Sequence, residues 1–193
     1  EAGLKTLNME FAEKTSYKRG ATDFSSQISK MQAGGCEMIV LGTIIRETIG
    51  AVGTARKLGY SPIFLGSSAA YTDLIHKLGG PAMNGLYATM TVQNPYTDEQ
   101  SAPIRFWANK YKTKFNEDPT VFSVYGYTII TSFATAAGRA GKNLTTDSFI
   151  KVMDNLTIEP DFFGGAVQTF SATKRLGSDA SRLSQITDGK WKT

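Results

Sequence analysis

Two short apolar runs stand in the first half of the chain, and each ends in a glycine followed by a polar or small-residue loop. Residues 38–41 read Met-Ile-Val-Leu and residues 63–65 read Ile-Phe-Leu, without alternating polar positions. Such runs are typical of strands in a parallel sheet that is covered on both faces. We therefore expect two strands that are buried on both sides and do not lie at a sheet edge.

Amphipathic segments separate these strands. Apolar residues recur at helical spacing over residues 24–33, 45–58 and 74–78, and each of these segments stops at glycine. A third apolar strand is expected over residues 85–92, and the alternating stretch 7–17 predicts a further strand ahead of the first helix. This repeated order of strand and helix predicts a parallel, doubly wound sheet with right-handed crossovers.

The second half of the chain reads mainly as helix. Turn residues at 93–98 interrupt the alternating pattern, and helices are predicted over 101–115, 121–140 and 147–155. The helical spacing of the aromatic residues indicates packing. We expect the following side chains to face inward: Ile104, Trp107, Tyr111 and Phe115 on the first helix, and Phe122, Tyr125, Ile129 and Phe133 on the second.

The end of the chain predicts a small extended segment. Residues 166–170 and 183–186 read as strands, and Asp188-Gly189 is a tight-turn signal that leads to Lys190-Trp191. We expect this segment to return to the first half of the chain.

The loops beyond the two apolar strands are the best candidates for binding. Thr43, Ile44, Ile45 and Arg46 follow one strand, and the range 66–69 (Gly66, Ser67, Ser68, Ala69) closes the other. Ligands of open α/β sheets bind beyond the carboxyl ends of the strands. The serine hydroxyls either contact an oxygen-rich ligand or cap the next helix.

Arg46 stands at the start of a predicted helix, where a cation is unfavourable against the positive end of the helix dipole. Its guanidinium either binds a ligand carboxylate in a bidentate manner or pairs with Glu47, Asp73 or another acid that the sequence does not identify. Among the aromatic residues of the second half, Tyr125 is the candidate for a hydroxyl that faces a cleft.

Composition and motifs exclude several classes of function. The 21 Lys and Arg residues, against 17 Asp and Glu, are scattered without the clustered stripe of a nucleic-acid surface. Cys36 is the single cysteine and His76 the single histidine, so neither a disulfide nor a Cys or His metal cage is available. The usual phosphate-binding, zinc-protease and nucleophile motifs are absent. We expect no enzyme activity, no metal and no cofactor.

Five short stretches together carry a family resemblance. They are residues 22–28 (Thr-Asp-Phe-Ser-Ser-Gln-Ile), 40–42 (Val-Leu-Gly), 55–59 (Ala-Arg-Lys-Leu-Gly), 64–66 (Phe-Leu-Gly) and 188–191 (Asp-Gly-Lys-Trp). The ensemble closely resembles the periplasmic substrate-binding proteins of branched-chain amino acid type ABC transporters, and the resemblance covers essentially the whole chain.

The resemblance implies an α/β fold of the type I periplasmic binding protein, with two doubly wound α/β lobes joined by a hinge. On this basis residues 1–92 form the second lobe, 93–170 a mainly helical part of the first lobe, and 171–193 the segment that returns to the second. The first lobe is incomplete in this chain. We therefore expect a partner, either the missing amino-terminal half of the same protein or a companion chain.

The resemblance also implies a periplasmic protein that traps a small solute between its lobes and presents it to an ABC permease in the inner membrane. Amino-acid binders of the family often carry an acid in the second loop, but residues 67–70 here contain none. An ammonium without a counter-charge is costly to bury. We therefore expect a carboxylate or amide solute, aromatic acids included, rather than a branched-chain amino acid. The alternative is the ligand-sensing domain of a receptor or amide-type regulator with the same fold.

Overall fold

A computed structural model describes all 193 residues, which fold as two compact units. One unit comprises Glu1–Thr89 together with Leu183–Thr193, and the other comprises Met90–Arg182. The helices are α1 (Ala2–Lys5), α2 (Ser25–Ala33), α3 (Ile45–Lys57), α4 (Asp73–Gly79), α5 (Ala102–Phe115), α6 (Val121–Ala140) and α7 (Thr146–Met153). The strands are β1 (Met38–Leu41), β2 (Ile63–Gly66), β3 (Tyr87–Met90), β4 (Thr157–Ile158), β5 (Gln168–Thr169), β6 (Arg182–Thr187) and β7 (Lys190–Lys192).

The main sheet has five strands in the order β1-β2-β3-β6-β7. Its first three strands are parallel, and the helices α3 and α4 connect them. This confirms the alternating α/β pattern predicted from the sequence. The last two strands form an antiparallel hairpin in which Thr187 pairs with Lys190. Asp188 and Gly189 both have positive φ (52° and 70°), as a two-residue hairpin turn of this hand requires.

One face of the parallel strands forms the core of the first unit. Ile39, Leu41 and Phe64 are buried on this face. The guanidinium of Arg56, on α3, lies 5.7 Å from the centre of the Phe64 ring, which places α3 on this side of the sheet. Of the apolar residues at helical spacing on α3, Val52 and Ala55 are buried, whereas Ile45 and Ile49 are partly covered and Leu58, just after the helix, is exposed.

The other face of the same strands is open. Met38, Val40 and Ile63 are 52%, 57% and 48% exposed, so the prediction that both runs are covered on both sides is wrong for this chain. β1 also lies at the edge of the sheet. The physical reason is topological, because strands that follow one another in a single direction through right-handed crossovers place their helices on the same face.

The strand predicted over residues 7–17 does not form. No helix or strand lies between α1 and α2, and Leu7, Met9 and Phe11 are exposed. The segment contacts the unit near its end, where the Tyr17 hydroxyl donates to the carbonyl oxygen of Gly42 at 3.2 Å. Apolar alternation alone does not make a strand, because a strand also requires a partner for its backbone ladder.

The second unit contains α5, α6, α7 and the short β4–β5 pair. Trp107 packs edge-on against the buried ring of Phe163, at 5.1 Å between ring centres. The stripe of α6 predicted to face inward is mostly exposed: Phe122, Ile129 and Phe133 are each more than half accessible. Phe115, at the end of α5, is likewise exposed. The predictions that these four side chains face inward are wrong, because no element of this unit covers them. No helix of the chain has the length and apolar character required to cross a membrane.

Candidate functional site

The two predicted binding loops leave the sheet side by side. β1 and β2 are parallel and paired so that Leu41 lies opposite Gly66. The loop that begins at Gly42 and the loop that begins at Ser67 therefore start from neighbouring positions at the carboxyl edge of the sheet. This edge is where open α/β sheets bind ligands.

Thr43 is buried and fixes the start of α3. Its hydroxyl lies 2.7 Å from the Thr48 hydroxyl, which donates in turn to the carbonyl oxygen of Ile44 at 2.8 Å. The Thr43 hydroxyl is therefore the donor in the first of these bonds. Of the predicted contacts in this loop, Thr43 supports the backbone, whereas Ile44 and Arg46 present exposed side chains.

Arg46 forms no ion pair within 4 Å. Neither of the acids considered from the sequence takes it as a partner. Glu47 accepts a hydrogen bond from the backbone N–H of Gly20 at 3.0 Å, and Asp73 pairs with Lys77 at 2.6 Å. The Arg46 guanidinium therefore remains available at the sheet edge.

A hollow of about 560 Å³ opens beside Arg46. Ile44 and Ile45 from the β1 loop and Leu74 and Leu78 from α4 give it an apolar wall. Its charged groups are the following: Arg19, Arg46 and Glu47. Two guanidinium groups against one carboxylate give the hollow a positive balance, which favours an anionic group with an apolar body.

Glu47 is a site residue that the sequence analysis did not single out as a ligand contact. It is only 2% exposed, and its second carboxylate oxygen, Oε2, has no hydrogen-bond partner. The N–H of Gly20 holds the pKa of Glu47 below its ordinary value, together with its own backbone N–H and the nearby Arg46 and Arg19. A glutamate in the first turn of a helix signals dipole stabilisation, but nothing in the sequence reveals its contact with residue 20.

The second loop is built around a tight turn. Ser67 caps a 3₁₀ turn over Ser68–Ala70, and its hydroxyl oxygen accepts from the N–H of Ala69 at 3.4 Å. Of the two roles expected for the serine hydroxyls, Ser67 therefore has the capping role. Ser67, Ser68 and Ala69 are exposed, whereas Gly66 is buried, and none of the four lines the hollow beside Arg46.

Tyr125 belongs to the other unit. It lies on α6, half-buried, and a side-chain hydrogen bond links it to Thr91. Burial raises the pKa of its hydroxyl, and the bond to Thr91 opposes that effect. It lines a second hollow of about 390 Å³ that also contains Thr128, whose buried hydroxyl has no partner.

Comparison with known proteins identifies the family. Residues 1–190 match the family model described as periplasmic binding protein. The chain belongs to the periplasmic binding protein family. Members of this family bind substrates and are not enzymes, and the family implies an extracytoplasmic location.

Several solved structures share the fold of this periplasmic binding protein. One is a branched-chain amino acid ABC transporter protein from Thermus thermophilus with bound valine, which has a TM-score of 0.82 at 16% identity. The match covers 99% of this chain and 53% of the Thermus chain. A substrate-binding periplasmic protein from Ralstonia solanacearum has a TM-score of 0.77 at 23% identity, and the match covers 96% of this chain and 53% of the Ralstonia chain. A leucine binding protein from Thermotoga maritima has a TM-score of 0.72 at 19% identity, and the match covers 93% of this chain and 50% of the Thermotoga chain.

A sequence relative is also a binding protein. An amino acid binding protein from Pseudomonas aeruginosa is 27% identical over 128 residues, which make up 65% of this chain and 33% of that protein. The chain thus spans about half the length of the solved structures that it matches and about a third of this relative.

Proposed function

We propose that this chain is part of the periplasmic solute-binding component of an ABC importer, and that the protein captures a small organic solute for an inner-membrane permease. Family membership supports the binding role. The solute is enclosed when the lobes of the full-length protein close by a hinge motion, which removes it from water and creates the surface that the permease recognises.

The unpaired Arg46 at the carboxyl edge of the sheet carries the proposal about the solute. A guanidinium binds a carboxylate through two parallel hydrogen bonds. The apolar wall beside Arg46, made by Ile44, Ile45, Leu74 and Leu78, suits the body of an aromatic or branched acid. We therefore assign the polar contacts to Arg46 and Ser68, and the apolar contacts to Ile44 and Ile45.

The charge of the site favours a carboxylate or amide solute over a simple α-amino acid. The loop 67–70 contains no acid. The acid that the structure does place at the hollow, Glu47, already accepts from Gly20 and is outnumbered by two arginines. An ammonium group at this edge would face a net positive surface, which costs binding free energy.

The remainder of the first lobe is supplied by another part of the same protein, or by a companion chain. Two observations support this part of the proposal. The chain matches about half the length of the solved structures, and the apolar face of α6 is exposed along Phe122, Ile129 and Phe133. A helix this apolar normally packs against a second layer.

Titration calorimetry of the full-length protein tests the choice of solute. Benzoate and leucine serve as probes, because they differ in the ammonium group and in the shape of the apolar body. We expect saturable binding of benzoate-type acids with weaker or no binding of leucine. Micromolar binding of leucine without binding of any benzoate-type acid would overturn the assignment of the solute, while leaving the family membership in place.

A further inference from the structure

We propose that Arg19 is a second solute-binding residue of the hollow beside Arg46, and that the preferred solute is a dicarboxylate with an apolar body. In this arrangement Arg46 binds one carboxylate group and Arg19 binds the other. The assignment rests on the proposed function, because both arginines line the hollow in which the solute is expected to bind.

Arg19 lies in a turn that two hydrogen bonds hold at the carboxyl edge of β1. On one side of Arg19, the Tyr17 hydroxyl donates to the carbonyl oxygen of Gly42 at 3.2 Å. On the other side, the N–H of Gly20 donates to the carboxylate of Glu47 at 3.0 Å. Gly42 follows β1 directly, and Glu47 stands in the first turn of α3. The turn therefore lies beside the loop that joins β1 to α3.

The backbone of this turn has a defined conformation. The N–H of Ala21 donates to the carbonyl oxygen of Lys18 at 2.9 Å, which closes the turn around Arg19 and Gly20. Gly20 has a φ of 85°, which residues with a Cβ atom rarely adopt. A backbone that is ordered before binding lowers the entropy cost of holding a ligand. The turn thus keeps Arg19 at the hollow while its side chain stays exposed to solvent.

Both guanidinium groups of the hollow lack a bonded partner. Arg19, like Arg46, forms no ion pair within 4 Å and no side-chain hydrogen bond. Glu47 is the one carboxylate of the hollow, but its lowered pKa arises mainly from the N–H groups of Gly20 and of Glu47 itself. The two arginines are the smallest causes of that shift. Two like charges in one hollow repel each other, so a bound dianion would relieve this repulsion.

Two separate guanidinium groups favour a solute with two acceptor groups. A guanidinium binds a carboxylate through two parallel hydrogen bonds, which use both oxygens of that carboxylate. The second arginine then has an equivalent partner only in a second carboxylate. The hollow has a volume of about 560 Å³ and an apolar wall, which leaves room for an apolar body that links the two groups.

Titration calorimetry of the full-length protein tests this assignment with two probes, benzoate and benzene-1,4-dicarboxylate. The probes share an aromatic body and differ in the second carboxylate. Arg19→Gln removes an exposed side chain that has no ion pair or hydrogen bond, so it should lower the unfolding midpoint only slightly. Lys18→Gln is the matched control, because Lys18 is an exposed cation of the same turn that does not line the hollow.

The wild type should bind the dicarboxylate at least about 10-fold more tightly than benzoate, because the second carboxylate adds charged hydrogen bonds. Arg19→Gln should remove this preference and should change the affinity for benzoate by less than about 2-fold, because Arg46 holds the single carboxylate. Lys18→Gln should change the affinity for either probe by less than about 2-fold, because solvent and salt screen an exposed charge outside the hollow.

A preference that survives Arg19→Gln, or that Lys18→Gln removes equally, would overturn the role of Arg19. Equal weakening of both probes by Arg19→Gln would overturn the dicarboxylate assignment, because both arginines would then hold one carboxylate. Wild-type binding of benzoate as tight as that of the dicarboxylate, or tighter, would overturn it too and leave the proposed function in place. Binding of neither acid would contradict the proposed carboxylate solute itself.

Discussion

The indole N–H of Trp191 donates to the carbonyl oxygen of Thr72 at 2.9 Å, across 119 residues of sequence. The Trp191 ring also lies 5.1 Å from the ring of Tyr71, between ring centres, and both rings are buried. Thr72 in turn caps α4, because its hydroxyl oxygen accepts from the N–H of Leu74. The hydrogen bond therefore links β7, the last strand of the chain, to the start of α4, which follows the second candidate binding loop.

Substitutions at Trp191 should separate the hydrogen bond from the packing. Trp191→Phe retains an aromatic ring but removes this donor from the Thr72 carbonyl, which still accepts from the N–H of Ile75 at 3.2 Å. The loss should lower the free energy of unfolding by about 0.5 to 1.5 kcal/mol. Trp191→Ala also removes the ring and should cost about 3 to 5 kcal/mol. Urea unfolding at fixed pH measures both values. The control Lys192→Ala removes an exposed side chain and should cost less than about 1 kcal/mol. Equal losses for the Phe variant and this control would show that the hydrogen bond contributes nothing.

The glycines that close β1 and β2 should respond differently to the same substitution. A Cβ atom at Gly66 would lie 2.8 Å from the Cβ atom of Ala70, whereas a Cβ atom at Gly42 would meet no atom within 4 Å. Gly66→Ala should therefore lower the free energy of unfolding by about 1 to 3 kcal/mol through overpacking. Gly42→Ala, at the equivalent strand end, should change it little. Thermal unfolding of the two variants side by side measures the difference, and similar midpoints would contradict the close approach at Gly66.

Glu47 should make the stability of the protein depend on acid pH. Its pKa in the folded state lies below the ordinary value of 4.5, mainly because the Gly20 N–H donates to the carboxylate. The stabilisation is therefore present above about pH 4.5 and is lost as the pH falls through the lowered folded-state pKa. Glu47→Gln should be less stable than the wild type near neutral pH, and the difference should shrink below that point. Glu10→Gln, at an exposed position, is the control. A difference that stays constant from pH 7 to acid pH would show that the charge of Glu47 is not responsible.

Arg46 should affect binding far more than stability. Its side chain is exposed, and its attraction to Glu47 is a minor cause of the lowered pKa of that carboxyl, so Arg46→Gln should lower the unfolding midpoint only slightly. Loss of charged hydrogen bonds to a carboxylate should weaken the binding of a benzoate-type acid by about 10- to 100-fold, which corresponds to about 1.5 to 3 kcal/mol. Calorimetry of the full-length variant measures this loss. Lys57→Gln removes one positive charge from the other end of the same helix and separates a specific contact from a general effect of charge. Equal weakening by the two variants would argue against direct contact by Arg46.

Local signals predicted much of the first unit. The continuous apolar runs became β1 and β2, the glycine stops ended α2 and α3, and Asp188-Gly189 became the hairpin turn. These features depend on residues that are close in sequence, so their spacing is sufficient to predict them. The helix predicted over residues 121–140 was likewise confirmed with the same bounds.

The features that sequence failed to predict depend on what lies across space. Residues 7–17 alternate like a strand but have no ladder partner, and Met38 and Val40 have the composition of covered residues without a cover in this chain. The contact between Glu47 and the N–H of Gly20 joins residues 27 apart, and no periodicity encodes it. An apolar strand residue is therefore buried only where another element of the protein covers it.

The position of β6 has a consequence for synthesis on the ribosome. β6 adds to the sheet beside β3, where the N–H of Ile186 donates to the carbonyl oxygen of Leu86, 100 residues earlier. At translation rates of about 5 to 20 residues per second, the edge of β3 therefore waits roughly 5 to 20 s for its neighbour, while the whole second unit is made. During that interval the nascent chain exposes an unpaired strand edge, and a long-range pairing of this kind slows folding. The early part of the chain thus has to avoid mispairing until its last residues emerge.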